Sequence, residues 1–243
     1  MSQIGPIVWR DLEFETDDEN VYAPKPASLL LAEHAVKVIP RGAHVLDACT
    51  GSGVVGIAVA KYVAESQVGV SDINEAALEA ARRNARRNHV AVSVVNASLY
   101  DGLAKESFDF ITVHPPAVPY LQGDDWGLSV GMQIATDGGD DGSRLVIRSI
   151  VEAKPYLKKG GKLLLLLPHW SNVPAAREAL KRTYRKVDEL ARKQVEFFPV
   201  KEGRPNPRLL EHVKALATKG IIEMTFDGPV PLSVVSVVQA SDA

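Results

Sequence analysis

"VLDACTGSGVVGIAVA", residues 45–60, reads as an apolar strand, an acid, a glycine turn and then an apolar helix. Gly51, Gly53 and Gly56 spell G-x-G-x-x-G at that strand-to-helix turn, a pattern that is permissive when it stands alone. Glycine allows positive φ and a close approach of a ligand to the backbone, and the first turn of the following helix leaves N–H groups unpaired. Three states suit such a turn: holding the pyrophosphate of a nicotinamide dinucleotide, holding S-adenosylmethionine, which has no phosphate, or holding nothing. Asp47, four residues before the first glycine, separates the two ligands, because a carboxylate repels a pyrophosphate and attracts an ammonium and a sulfonium. Asp72 ends the next strand, where either ligand would offer ribose hydroxyls. Two acids in register with the glycines argue against an empty turn.

Outward from the turn, short apolar runs alternate with helical patterns. Strands are predicted over 44–46, 68–70, 91–95, 108–113 and 162–167, and helices over 28–38, 54–62, 75–88 and 142–157. Such alternation is the mark of βαβ units in a parallel sheet covered on both faces. The tail reads as a helix over 175–185, a long strand over 187–200, a helix over 207–219 and a last strand over 232–239. No repeat and no Pro-, Gly- or Ser-rich linker divides the chain, so residues 1–243 are expected to form one domain. Residues 1–26 read as an extension placed to fold over the site, and 201–220 as a helical insertion before the last strand; ordinary surface structure is the plainer reading of both.

The 243 residues are 46% apolar and 24% charged, with a net charge of -2. That balance gives no general attraction to nucleic acid or to an anionic membrane. The longest uniformly apolar run, five leucines over 163–167, falls far short of the roughly 20 residues that span a bilayer. The N-terminus lacks the layout of a signal peptide, so a cytoplasmic location is expected. One cysteine excludes an intrachain disulfide and a cysteine metal cluster, and the six histidines show no ligand spacing, so no metal is expected. Cys49 reads as a small residue packed in the turn.

Three stretches in combination, "VLDACTGSGVVGIAVA", "VSDINEAALEAARRNARRN" (70–88) and "FDFITVHPPAVPY" (108–120), resemble the class I S-adenosylmethionine-dependent methyltransferases. The chain looks most like the HemK-type enzymes, which methylate the glutamine of release factors, and their relatives with an N-P-P-Y signature. "VYAPKPASLLLAEHA" (21–35) is similar to the segment by which that group enters its fold, and "TDGGDDG" (136–142) to the stretch after its catalytic loop. The resemblance implies an α/β, Rossmann-like doubly wound sheet, mostly parallel with an antiparallel last strand. It also implies S-adenosylmethionine as cofactor and S-adenosylhomocysteine as product. Asp47, Thr50, Gly51 and Gly53 would line the methionine end, and Asp72, with Ile73 beside it, would meet the ribose. Asn96, Ala97 and Ser98 would stand at the adenine, Ser98 where the group has an acid.

The group's signature opens with Asn or Asp, which accepts hydrogen bonds from the nitrogen being methylated, and closes with an aromatic that stacks on the planar group. Here those positions hold His114 and Ala117. Pro115 and Pro116 still fix the backbone and lack N–H donors, leaving aimed carbonyls. A neutral His114 ring nitrogen can accept a hydrogen bond, and with an ordinary pKa near 6.5 the ring can also serve as a base. The plainer reading is that His114 caps the strand and packs over the cofactor. Ala117 is expected to open space, with Tyr120 or Trp126 supplying the aromatic face. The catalytic candidates are His114, Pro115 and Tyr120, and His169 is placed to face the same cleft.

The expected activity is methyl transfer to a nitrogen, or alternatively an oxygen, of a small-molecule or peptide-like substrate other than the usual planar amide. Only about 25 residues precede the fold, which leaves no room for the helical domain with which the resembled bacterial enzymes grip a release factor. Protein glutamine and nucleic-acid N-methylation remain alternatives, as do a nicotinamide-dependent oxidoreductase and an inactive cofactor-binding partner subunit. Arg82, Arg83, Arg86 and Arg87 follow Glu75 and Glu79 at helical spacing, so they read as an ion-paired solvated face. Arg177, Lys181, Arg182, Arg185 and Lys186 read the same way, so nucleic acid is not the expected partner; a homodimer is the oligomeric state to test.

Overall fold

The computed structural model describes residues 5–15, 18–121, 127–197, 206–228 and 230–242. A hairpin of β1 (Ile7–Trp9) and β2 (Leu12–Phe14) precedes α1 (Pro26–Val38), β3 (His44–Ala48), α2 (Val54–Tyr62), β4 (Gln67–Asp72), α3 (Glu75–Arg87) and β5 (Ser93–Asn96). Then come β6 (Phe108–Val113), α4 (Val130–Thr136), α5 (Arg144–Ala153) and β7 (Leu157–Pro168). The tail holds α6 (Val173–Thr183), β8 (Lys186–Glu196), α7 (Pro207–Thr218), β9 (Met224–Thr225) and β10 (Leu232–Ser241).

The main sheet has the order β5-β4-β3-β6-β7-β10-β8, with β9 also on β10. Strands β5 to β7 pair in parallel, and β10 runs antiparallel to both β7 and β8. This is the doubly wound sheet with a reversed last strand that the sequence implies. The leucine run shows why it forms. Leu164 and Leu166 face one core cluster with Leu31, Val45 and Ile57, whereas Leu163 and Leu165 face a second with Leu46, Ile111 and Ile150. Alternate residues of a strand point to opposite faces, and helices cover both, so a run that is apolar at every position suits only a central strand. Each such leucine stabilises the fold by roughly 1.5–3 kcal/mol relative to exposure.

The sequence patterns miss the β1–β2 hairpin, the short α4 and the two-residue β9. Of residues 1–26, Tyr22 and Pro24 line the cavity described below, and the hairpin does not. It is held to α3: the Glu13 N–H donates to Asn88 Oδ1 (2.9 Å), the Asn88 amide donates back to the Glu13 carbonyl (2.8 Å), and the Glu15 N–H donates to Asn84 Oδ1 (2.8 Å). Arg83 and Arg87 pair with Glu13 and Glu15, and Arg82 with Glu75 and Glu79, so this basic stretch is an ion-paired face. The expected insertion contains α7, whose Leu209, Val213 and Leu216 pack with Val118, Phe197 and Ile222. Among the described residues no helix is long and apolar enough to cross a membrane.

Candidate active site

Strand β3 lies between β4 and β6 and brings Asp47 to the carboxyl edge of the sheet. Its side chain is almost wholly buried, at 2% exposure. Asp47 Oδ2 accepts hydrogen bonds from Thr50 Oγ1 (2.5 Å) and the Gly56 N–H (3.0 Å), and Oδ1 accepts one from Thr112 Oγ1 (2.7 Å). One carboxylate thereby ties β3 to the glycine turn, to α2 and to β6. Burial nevertheless pushes its pKa up to about 6, because desolvation of the charge outweighs the three donors.

Asp72 closes the other side of the turn. Its Oδ2 accepts the Gly51 N–H (2.9 Å), its Oδ1 accepts the Asn74 N–H (3.0 Å), and burial raises its carboxyl as well. Gly51 has φ +54, where glycine is favoured. Cys49, also at positive φ, lines the cavity; burial and the nearby Asp72 and Asp47 hold its thiol protonated.

A cavity of about 490 Å³ opens along this edge, within the size range of small-molecule sites. From the loops after β3, β4 and β5 it gathers Asp47, Thr50, Gly51, Asp72, Ile73, Ala97 and Ser98. From the loop after β6 it gathers His114, Pro115, Pro116 and Ala117, and from elsewhere Tyr22, Ser28, Gln133, Arg148 and Trp170. Gly53, Asn96 and Tyr120 are not among its lining residues. Gly53 precedes α2 at φ +89, and a Cβ there would stand 2.8 Å from Ile57 Cδ1, so close packing also requires glycine at this position. Asn96 is exposed, and its amide donates to Glu75 Oε2 (3.0 Å).

Tyr120 is carried past the cavity by the backbone. The Val118 N–H donates to the Thr136 carbonyl (2.8 Å), the Gly138 N–H to the Val118 carbonyl (2.9 Å) and the Tyr120 N–H to the Gly139 carbonyl (2.8 Å), which delivers the ring to the α7 cluster. Trp126 lies outside the described residues. Ala117 does not simply open space either. Gly138 and Gly142 press against its backbone, and a Cβ on Gly142 would stand 2.3 Å from the Ala117 carbonyl oxygen. His169 is fully buried away from the cleft, with Nδ1 2.8 Å from Glu223 Oε2 and Nε2 2.9 Å from Ser236 Oγ.

His114 itself has changed character. Burial lowers its pKa to about 4, so the ring is neutral at pH 7 and acts through hydrogen bonds rather than as a base. Its Nδ1 lies 3.3 Å from Ser28 Oγ, and the Tyr22 ring meets it edge to face with centroids 6.1 Å apart. Tyr22, Ser28, Gln133, Arg148 and Trp170 were not singled out from the sequence. Tyr22 and Ser28 sit in the entry stretch, where no spacing marks a long-range partner.

The chain matches the family described as methyltransferase small domain over residues 19–198. The chain belongs to that family. As a methyltransferase it shares 35% identity over 177 residues with a Methanocaldococcus jannaschii protein provisionally named a protein N5-glutamine methyltransferase, covering 73% of this chain and 87% of that one. The release factor glutamine methyltransferase of Geobacter sulfurreducens is 34% identical over 152 residues, 61% of this chain and 53% of its own length. Among solved structures, the Thermus thermophilus 16S rRNA N2 G1207 methyltransferase, in complex with AdoMet and guanosine, superposes with a TM-score of 0.53 at 18% identity, over 90% of this chain and 44% of that one. This last likeness is one of fold.

The methyltransferase uses S-adenosylmethionine as its methyl donor. The donor set fits that group: Asp47 and Asp72 put two carboxylates on one cavity wall, suited to a cationic and hydroxyl-bearing ligand, with the glycine turn between them.

Proposed function

We propose that this methyltransferase modifies the nitrogen of a carboxamide on a peptide-like substrate, with His114, Pro115 and Pro116 holding the amide. The observation that carries the reading is the β6 loop. Among the described residues the Pro115 and Pro116 carbonyls accept no hydrogen bond, and His114 adds a neutral ring to the same cavity wall. The glutamine methyltransferases similar to this chain support a carboxamide over the bulkier, non-amide acceptor expected from Ala117, as does the close packing on that residue.

On this reading Asp47, Thr50 and Gly51 hold the methionine end, Asp72 and Ile73 the ribose, and Ala97 and Ser98 the base. When bound, S-adenosylmethionine supplies an activated methyl group on a sulfonium. The chain's own residues align the amide nitrogen and exclude water, and such positioning can supply roughly 7–11 kcal/mol of the barrier. The nitrogen gains the methyl, the sulfur keeps the bonding pair, and the amide proton leaves to solvent, since a ring with a pKa of about 4 does not hold it at pH 7.

The test is incubation with S-adenosylmethionine and N-acetylglutamine amide or glutamine-bearing peptides, followed by fragment mass spectrometry. One added methylene on the glutamine side chain is the expected result. Methylation of lysine or carboxylate controls, with the amides untouched, would overturn the carboxamide reading.

A further inference from the structure

His114 presents two ring nitrogens, and the structure accounts for only one of them. Nδ1 faces Ser28 Oγ at 3.3 Å, whereas Nε2 has no partner among the described residues and the ring lines the cavity. The proton count then turns on Ser28. Its side chain is 4% exposed, it sits in the first turn of α1, and its hydroxyl has His114 Nδ1 as its sole hydrogen-bond partner among the described residues. A hydroxyl carries one donor and can spare its acceptors, whereas a buried donor without an acceptor is costly. If Nδ1 carried the proton, the Ser28 hydrogen would be left without an acceptor. If Ser28 donates to Nδ1, both groups are satisfied and the proton of the neutral ring resides on Nε2.

We propose that Ser28 is a positioning residue that holds His114 in its Nε2–H tautomer, so that the cavity offers a hydrogen-bond donor to the carbonyl oxygen of the substrate. This rests on the methyltransferase reading of the cavity and extends it. The wall then matches a primary carboxamide group by group: Nε2–H meets its oxygen, and the Pro115 and Pro116 carbonyls, which accept no hydrogen bond among the described residues, meet its N–H donors. A carboxylate would leave those carbonyls without donors, and an amine would leave Nε2–H without an acceptor. The donor also has a chemical use, because it stabilises the negative charge that the amide oxygen takes up as the nitrogen gives up its proton ahead of the methyl, and so makes that nitrogen the better nucleophile. Asparagine at this position can accept through its oxygen; His114 in this tautomer reads the opposite end of the same amide.

The experiment is long-range proton–nitrogen correlation NMR on histidine-labelled protein loaded with S-adenosylhomocysteine, with the His114 signals assigned by His114→Asn. The expected spectrum has a protonated Nε2 and a bare Nδ1. In Ser28→Ala a second tautomer should become populated, and kcat/KM for N-acetylglutamine amide should fall about tenfold; Ser28→Thr, which keeps the hydroxyl, should restore both. A wild-type ring protonated on Nδ1, or a threonine variant no better than the alanine one, would overturn the proposal alone. Failure of the wild type to bind S-adenosylhomocysteine would overturn the methyltransferase reading, and this proposal with it.

Discussion

The two halves of the cavity are built in opposite ways. The half read as the cofactor site comes from the carboxyl edges of β3, β4 and β5, and its acids are pinned by hydrogen bonds: Asp47 by Thr50, Gly56 and Thr112, Asp72 by Gly51 and Asn74. The half read as the substrate site is assembled from α1, the β6 loop, α4, α5 and Trp170, which meet through tertiary packing. The cofactor half should therefore fail all at once when one pin is drawn, and the substrate half should tolerate single losses.

The sharpest test of that contrast is Asp72→Ala, which removes the acceptor of the Gly51 N–H; titration calorimetry should show S-adenosylhomocysteine affinity at least about 100-fold weaker, or about 2.7 kcal/mol. Next is Gly56→Ala. A Cβ there would stand 2.5 Å from Val70 Cγ1 and 3.3 Å from Asp47 Cβ, and such overpacking typically costs about 1–3 kcal/mol, readable as a lower urea midpoint with an unchanged slope.

The third test uses pH. Asp47 has its pKa raised from 3.8 to about 6, so it makes the fold less stable as pH rises through that window. His114 has its pKa lowered from 6.5 to about 4, so its contribution is present above 6.5 and is lost as pH falls toward 4. The two slopes oppose each other. In His114→Asn the slope that His114 contributes is gone, so between pH 4 and 6 the stability measured by urea unfolding, taken as variant minus wild type, should fall with rising pH. An unchanged slope would mean that the His114 ring is better solvated than its burial indicates. The smallest effect is expected for Tyr120→Phe, which should change S-adenosylhomocysteine affinity by less than about twofold (about 0.4 kcal/mol), because the ring packs toward α7 outside the cavity.

The same contrast explains what the sequence discloses. The sheet was legible because the leucines of β7 are apolar at every position and the glycine turn carries its acids at fixed offsets. Of the residues the turn pattern points to, Gly53 and Asn96 stand outside the cavity lining: the first packs against Ile57 and Ala81, and the second turns outward to Glu75. In the substrate half, Tyr120 was chosen by its closeness in sequence to His114, whereas the pairing of Val118 with the Thr136 and Gly138 backbone decides where that ring goes. Ser28 and Tyr22 were invisible as site residues because their meeting with His114 is a tertiary event, 86 residues distant for Ser28.

Asn84 gives the molecule a mechanical property. Its amide nitrogen donates to the Ser52 carbonyl within the glycine turn (2.9 Å), while its oxygen accepts the Glu15 N–H after the hairpin (2.8 Å). The glycine turn and the chain that follows the hairpin therefore hang on the two ends of one rigid planar group. Ligand tightening of the turn is expected to slow amide exchange at the Glu15 N–H, a group outside the cavity.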